Sequence, residues 1–310
     1  MLSPTQQRTA EAIVNIFETG SVLGDYGSVT LLPGDLGHLS YGRSQVTLTS
    51  GTLHALIRVY CSNTAARFES QLNPFMSKLE RADPGLNSDH YFHNLLRACA
   101  DDPLMRTVQD GFFDEHYWRG AAKTADRLGI TTPLGVAVVY DSRIHGSWDW
   151  LSRRTNAVAG HLDIIGEQAW IKAYVDERRN WLAHHRIQIL RATVYRMNVF
   201  AELIALGLWS LELPLVIRGM EIGLASLKAL PKNTYAGPAV KSRIIALQSP
   251  VMRGLDVRLV QVALSRADID VVADGIFGSN SAWAVRDFQE RSDMVATGRI
   301  EEHEFARLKL

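Results

Sequence analysis

The chain has 310 residues with 33 basic and 33 acidic side chains, so its formal net charge is zero and no broad attraction to nucleic acid or an anionic membrane is expected. Hydrophobic residues make up 46% and charged residues 21%, which suits two or three domains with a sizeable core and excludes a disordered chain. The two cysteines, Cys61 and Cys99, lack metal-type or redox-type spacing and exclude a disulfide framework.

The chain opens on Ser3-Pro4, an N-cap followed by proline at the first helical position. Ala10, Ile13, Val14 and Phe17 follow at helical spacing, and Thr19-Gly20 stops the helix. This start shows no basic segment followed by an apolar core, so no Sec signal is read. From Ser21 to Thr49 glycines mix with β-prone runs, Ser28 to Leu32 and Gln45 to Leu48, which predicts a small hairpin region. From Gly51 to about Leu230 the pattern is helical, broken near Pro74, Pro84, Pro103, Pro133, Gly160 and Pro214. The most apolar stretch, Val199 to Ile217, holds Glu202 and Glu212, which would be costly in a bilayer. It is expected to form one or two buried helices, with no membrane insertion.

Pro231, Gly237, Pro238 and Pro250, with basic residues among them, suit a linker over 229–250. Leu255, Val257, Leu259, Val260 and Leu264 then form an apolar helix face. A tight turn, Asp274-Gly275-Ile276-Phe277-Gly278, leads into a second helix and a further loop into a last helix through Phe305 and Leu308. The expected fold is mainly α, of the α+β lysozyme-like kind. It comprises a two-lobed helical catalytic domain over 1–228 with a small β region near its start, a linker over 229–250, and a small three-helix domain over 251–310.

Glu18 stands at the C-terminal end of the first helix, where the helix dipole disfavours a carboxylate's charge. Desolvation by Phe17 and the following loop would add to that and favour the neutral acid. Asp35 lies in a glycine-rich, solvated loop, Pro33-Gly34-Asp35-Leu36-Gly37, which favours the ionised form. Two carboxylates in opposed environments form the acid/base pair that glycosidic cleavage uses. The histidines show no i, i+4 pair with a third ligand, and no phosphate loop or serine-nucleophile elbow is present, so neither metal nor cofactor is expected.

The first part of the chain resembles the glycoside hydrolase family 46 chitosanases of the lysozyme superfamily. The residues that carry the resemblance are Glu18 ending the first helix, Gly34-Asp35 with Ser40, and the Ser50-Gly51-Thr52 turn. Val139-Tyr140-Asp141-Ser142-Arg143-Ile144-His145-Gly146 and Tyr174-Val175-Asp176-Glu177-Arg178 follow in the family's order. The resemblance implies that Glu18 protonates the leaving oxygen, Asp35 acts as general base, and Ser40, threonine in the family, helps hold the water. It also implies a buried charge network of Asp141, Arg178 and either Arg191 or Arg196 behind Glu18, with Arg196 preferred. Asp141 and Arg178 also read as a structural ion pair between two helices. Tyr41, His38, His145 and Trp148 are the expected substrate contacts, with Trp150 a further cleft candidate. An inverting reaction with carboxyls roughly 6.5–9.5 Å apart would follow.

Residues 251–310 resemble the peptidoglycan-binding type 1 module, through Val260-Gln261, the turn Asp274 to Gly278, and Ala284-Val285 with Phe288-Gln289. That resemblance implies wall binding through Asp274, Gly275, Phe277, Gly278, Phe288 and Gln289. The chitosanases carry an acidic residue after the Ser-Gly-Thr turn that meets a free glucosamine amine, whereas Leu53-His54 stand here. Both features point to peptidoglycan glycan strands as the partner and to a muramidase, working as a monomer in cell-wall lysis. Synthesis in the cytoplasm would be followed by release to the periplasm through a holin or a secretion machine, as phage endolysin or antibacterial effector. The rival readings are a chitosanase, a lytic transglycosylase, and a non-catalytic wall-binding or phage structural protein. A protein truncated after about Leu230 is expected to lose wall binding and keep hydrolysis of short soluble glycans.

Overall fold

The computed structural model describes residues 2–31, 37–237 and 243–308. The principal elements begin with α1 (Pro4–Thr19), β1 (Val29–Thr30), β2 (Ser40–Tyr41), β3 (Val46–Thr47), α2 (Thr52–Cys61), α3 (His90–Cys99), α4 (Pro103–Phe113) and α5 (Arg119–Leu128). They continue with α6 (Pro133–His145), α7 (Trp148–Ala159), α8 (Glu167–Ala183), α9 (Tyr195–Ala205), β4 (Leu215–Ile217), β5 (Met220–Ile222), α10 (Leu255–Arg266) and α11 (Ser279–Arg291). Short helical turns fill most of the connections. The expected fold class, mainly helical with a small antiparallel sheet near the N-terminus, is the one observed. Among the described residues, no helix is long and apolar enough to cross a membrane.

The chain forms two compact units, each built from two separated stretches: Met1–Gly24 with Phe113–Ala229, and Asp25–Phe112 with Leu230–Leu310. In the first unit, Ser3 and Gln6 form a reciprocal capping box at the start of α1, as Ser3-Pro4 predicts. The helix lies against α6, in which every residue from Leu134 to Ser142 is buried. Such a helix is apolar on all sides and surrounded by others, here α1, α5, α8 and α9. Asp141 is thereby carried into the core as the one charge in that buried stretch.

In the second unit, β1, β2 and β3 form an antiparallel sheet in which Ser40 faces Thr30 and Thr47. Leu39, Tyr41, Leu53, Tyr60, Leu95 and Cys99 pack into a core that also takes in Val262 and Ala273 from the C-terminal segment. Helix α10 lies along α3. Asn94 on α3 donates to the carbonyl of Val271 at 2.7 Å and accepts from the Ala273 N–H at 2.9 Å. Arg258 on α10 forms a buried ion pair with Asp101 at 2.9 Å, and the same carboxylate oxygen accepts from the Tyr235 N–H at 2.7 Å.

Three sequence expectations change. Val199 to Ile217 holds one helix only: α9 ends at Ala205, and Leu215 begins a β4–β5 hairpin turned at Arg218-Gly219. The described part of 229–250 is packed, because Tyr235 docks on Asp101 and buried Ile245 pairs with Ile300. The expected last helix is a single 3₁₀ turn, Glu302–Glu304, since the chain after it supplies only Phe305 and Leu308 to the core.

Candidate active site

The C-terminal end of α1 is held from several sides. Phe17 packs edge-on against Tyr195 and Phe200, and the Tyr195 hydroxyl donates to the Phe17 carbonyl at 2.8 Å. Glu18 follows directly, and its carboxylate pairs with Arg196 at 2.8 Å. The Arg196 guanidinium is 2% exposed, sits 5.0 Å from the centre of the Phe17 ring, and reaches Asp141 at 2.6 Å through Nη2 and 2.9 Å through Nε. Burial opposes the charge of Arg196, but Asp141 and Glu18 outweigh it and hold the guanidinium above its ordinary pKa. The result is a relay of position from the buried Asp141, through Arg196, to Glu18 at the end of α1.

The expected desolvation of Glu18 is absent: its side chain is 46% exposed, and it is fixed by a charged partner rather than by an apolar wall. Arg196, not Arg191, takes the network position; Arg191 instead donates to the carbonyls of His185 and Arg186. Arg178 does not pair with Asp141. Its Nη1 donates to the carbonyls of Gly146 at 2.9 Å and Ser142 at 3.4 Å, so it caps the C-terminal end of α6 where free carbonyls gather. Its Nη2 meets Nδ1 of His145 at 3.0 Å. A guanidinium only donates, so His145 accepts at Nδ1 and carries its proton on Nε2. Burial, then Arg196 and Arg178, push the pKa of His145 down and keep the ring neutral.

The other expected contacts scatter. Asp35 lies outside the described residues. Ser40 is buried in β2, and His38 meets the Asn87 amide through Nδ1 at 2.6 Å. Tyr41 is completely buried, and burial raises its pKa well above the ordinary value, so it offers no surface to a ligand. Trp148 is likewise a core residue, packed on Trp170 and Tyr174, while Trp150 is 45% exposed beside Trp181. No group of three His, Cys, Asp or Glu among the described residues is gathered to hold a metal.

Arg43, two residues beyond β2, was not singled out by the sequence reading. Its buried guanidinium pairs with Asp110 and receives the Tyr26 hydroxyl as an acceptor at 3.2 Å. Gly42 beside it has φ 72°, and a Cβ there would meet Gln109, so only glycine lets the chain turn here. A Gly-Arg pair after a strand carried the signal, but the pattern of apolar residues did not mark it.

In the C-terminal segment, the motif residues build the fold rather than a face. Phe277 and Gln289 are fully buried; the Gln289 amide donates to Thr297, the Arg299 carbonyl and Glu304. Phe288 is nearly so. Gly275 donates its N–H to Gln261, and a Cβ on it would strike the Tyr235 ring. Asp274 accepts from Gln261 and from the Ile276 N–H. The turn they hold borders a hollow of about 480 Å³ lined by Asp270, Asp274, Gly278, Asn280 and the exposed Trp283.

Comparison with known proteins agrees with this architecture. The family described as "Glycosyl hydrolase family 46" matches residues 12–215, and "Putative peptidoglycan binding domain" matches residues 253–308. A chitosanase of Bacillus subtilis (strain 168) is 30% identical over 239 residues, covering 72% of this chain and 85% of its own length. The crystal structure of the native chitosanase from Bacillus subtilis MY002 has 27% identity and a TM-score of 0.55, covering 70% of this chain and 96% of that one. A mutant of that enzyme complexed with six GlcN units gives 27% and 0.56, with 72% and 98% coverage. The Gynuella sunshinyii GH46 chitosanase, in complex with chitotetraose, shares the fold at 23% identity and a TM-score of 0.56, covering 73% of this chain and 99% of that one. The chain therefore belongs to glycosyl hydrolase family 46, as a chitosanase-like glycoside hydrolase that also carries a C-terminal peptidoglycan-binding domain.

Proposed function

We propose that the protein hydrolyses the β-1,4 links of peptidoglycan glycan strands as a muramidase. Glu18, steered by Arg196, gives its proton to the leaving glycosidic oxygen. Asp35 takes a proton from a water held with the help of Ser40, and that water attacks the anomeric carbon from the opposite face. The product would have inverted configuration. The supporting observation is that the peptidoglycan-binding domain is packed into the same compact unit as the sheet that carries Ser40. The lack of a carboxylate at Leu53-His54 also removes the group that would suit a polymer of cationic glucosamine. A wall substrate implies action in the periplasm, reached through a holin pore or a secretion machine. The chitosanase reading is favoured by the names of the relatives.

The test is mass spectrometry of the products from purified sacculi, with soluble chitosan in parallel. Reducing-end N-acetylmuramic acid is the expected result. Anhydro ends would indicate a lytic transglycosylase, glucosamine oligomers from chitosan alone a chitosanase, and no product from either a wall-binding protein. Asp35→Asn should lower hydrolysis by about 10²–10⁴-fold, whereas a transglycosylase needs no such base.

A further inference from the structure

A hollow of about 300 Å³, of a size that takes a small ligand, opens between the approach to β1 and the Asp274 turn. Asp25, Ser28, Arg97, Arg258, Ala273 and Asp274 line it. Arg258 is already committed, to Asp101 and to the carbonyls of Arg97, Asn233 and Asp274. Arg97 is not. This half-buried guanidinium donates to Asn94 at 3.0 Å, and no carboxylate among the described residues lies within ion-pair distance of it, although the Asp274 carboxylate is near enough to favour its charge. In the same lining, Asp25 uses Oδ1 for the Gly27 N–H, and Asp274 uses Oδ1 for Gln261 and Ile276. Each keeps its Oδ2 without a partner among the described residues.

One cation without a close ion pair and two half-used carboxylates lining one small hollow complement a group that carries a carboxylate and an ammonium on the same carbon. We propose that the hollow holds an α-amino-acid end of a peptidoglycan stem peptide, with its carboxylate on Arg97 and its ammonium on Asp25 and Asp274. This inference rests on the peptidoglycan reading and adds the part of that polymer which is recognised. A glucosamine polymer offers an ammonium alone and has no use for Arg97. The site is composite: Arg97 and Asp25 come from the hydrolase stretch and Asp274 from the binding domain, and they meet because α10 is seated on α3.

The experiment is isothermal titration of the full chain with the soluble tripeptide L-alanyl-γ-D-glutamyl-meso-diaminopimelate and with its form amidated at the terminal carboxylates. Wild type should bind the free peptide, and Arg97→Gln should weaken this by about tenfold or more. Amidation should cost the wild type a similar factor and the variant nothing further. Asp25→Asn should show the same pattern with a peptide acetylated on the free amine of its diaminopimelate. No binding by wild type, unchanged affinity in both variants, or equal loss on both forms of the peptide would overturn the proposal. Muramic acid ends from sacculi without tripeptide binding would reject the hollow alone, whereas cleavage of chitosan only would reject the substrate reading beneath it.

Discussion

Arg196 holds two carboxylates of opposite character, one buried completely and one nearly half exposed. Their removal should therefore be felt differently. Glu18→Gln takes away the proposed proton donor while disturbing only a half-exposed pair, worth about 0–1 kcal/mol in stability. Cleavage of the glycan should fall by about 10²–10⁴-fold, with the melting temperature close to wild type and sacculus binding retained. Arg196→Met instead leaves Asp141 charged and unpaired in the core. A loss of about 3–5 kcal/mol is expected in urea unfolding, along with activity, since Glu18 loses its guide. A variant at Arg196 as stable as wild type would show that Asp141 finds another partner.

Helix α10 seated on α3 joins elements through polar groups that leave little freedom. Burial pushes the Asp101 carboxyl up to about 6, against the pull of Arg258 and the Tyr235 N–H. Its ordinary pKa is about 3.9. Between the two values the folded chain holds a proton that the unfolded chain has released, so this group's contribution to stability falls as pH rises through that window. Asp101→Asn keeps an acceptor for both donors and cannot titrate. The melting temperature of wild type relative to this variant should drop by a few degrees between pH 4 and pH 7 and then level off. A constant difference would show that Asp101 does not titrate there. Much of the element order was legible in the sequence, because Ser3-Pro4, the glycine-rich β region and the Asp274 turn are local signals. Glu18 drew notice by its place at the end of the first helix, but Asp141 and Arg196 were legible only through the family resemblance, since a lone charge among buried apolar neighbours has no periodicity of its own. The seat of α10 was not legible, because Asn94 and Asp101 are single polar residues whose partners lie far along the chain. The β4–β5 hairpin was hidden for a related reason: Leu215, Val216 and Ile217 continue an apolar run that a buried helix would also show.

At the scale of the whole molecule, neither compact unit is a continuous stretch of sequence. The binding domain shares a core and a buried ion pair with the hydrolase stretch from Asp25 to Phe112. This changes the expected effect of truncation. A protein ending near Leu230 would leave Asn94, Asp101 and the apolar face of α3 without partners, and stranded buried groups of this kind cost about 1–3 kcal/mol each. Hydrolysis of short soluble glycans should be lost together with wall binding, and hydrogen exchange should show α3 and the small sheet deprotected. A truncated enzyme with full activity on soluble glycans would mean that the seat of α10 contributes nothing to the hydrolase.

The same split arrangement governs how the chain is made. The ribosome delivers α3 early, while α10 emerges only after the whole of α4 to α9 has been synthesised. At about 5–20 residues per second this interval is on the order of ten seconds. Throughout it Asn94 and the apolar side chains of α3 that will receive α10, with Asp101 just beyond the helix, stand without their partners. A nascent chain in this state shows the kind of transiently exposed apolar surface that chaperones cover, and it is the seating of α10 that closes it.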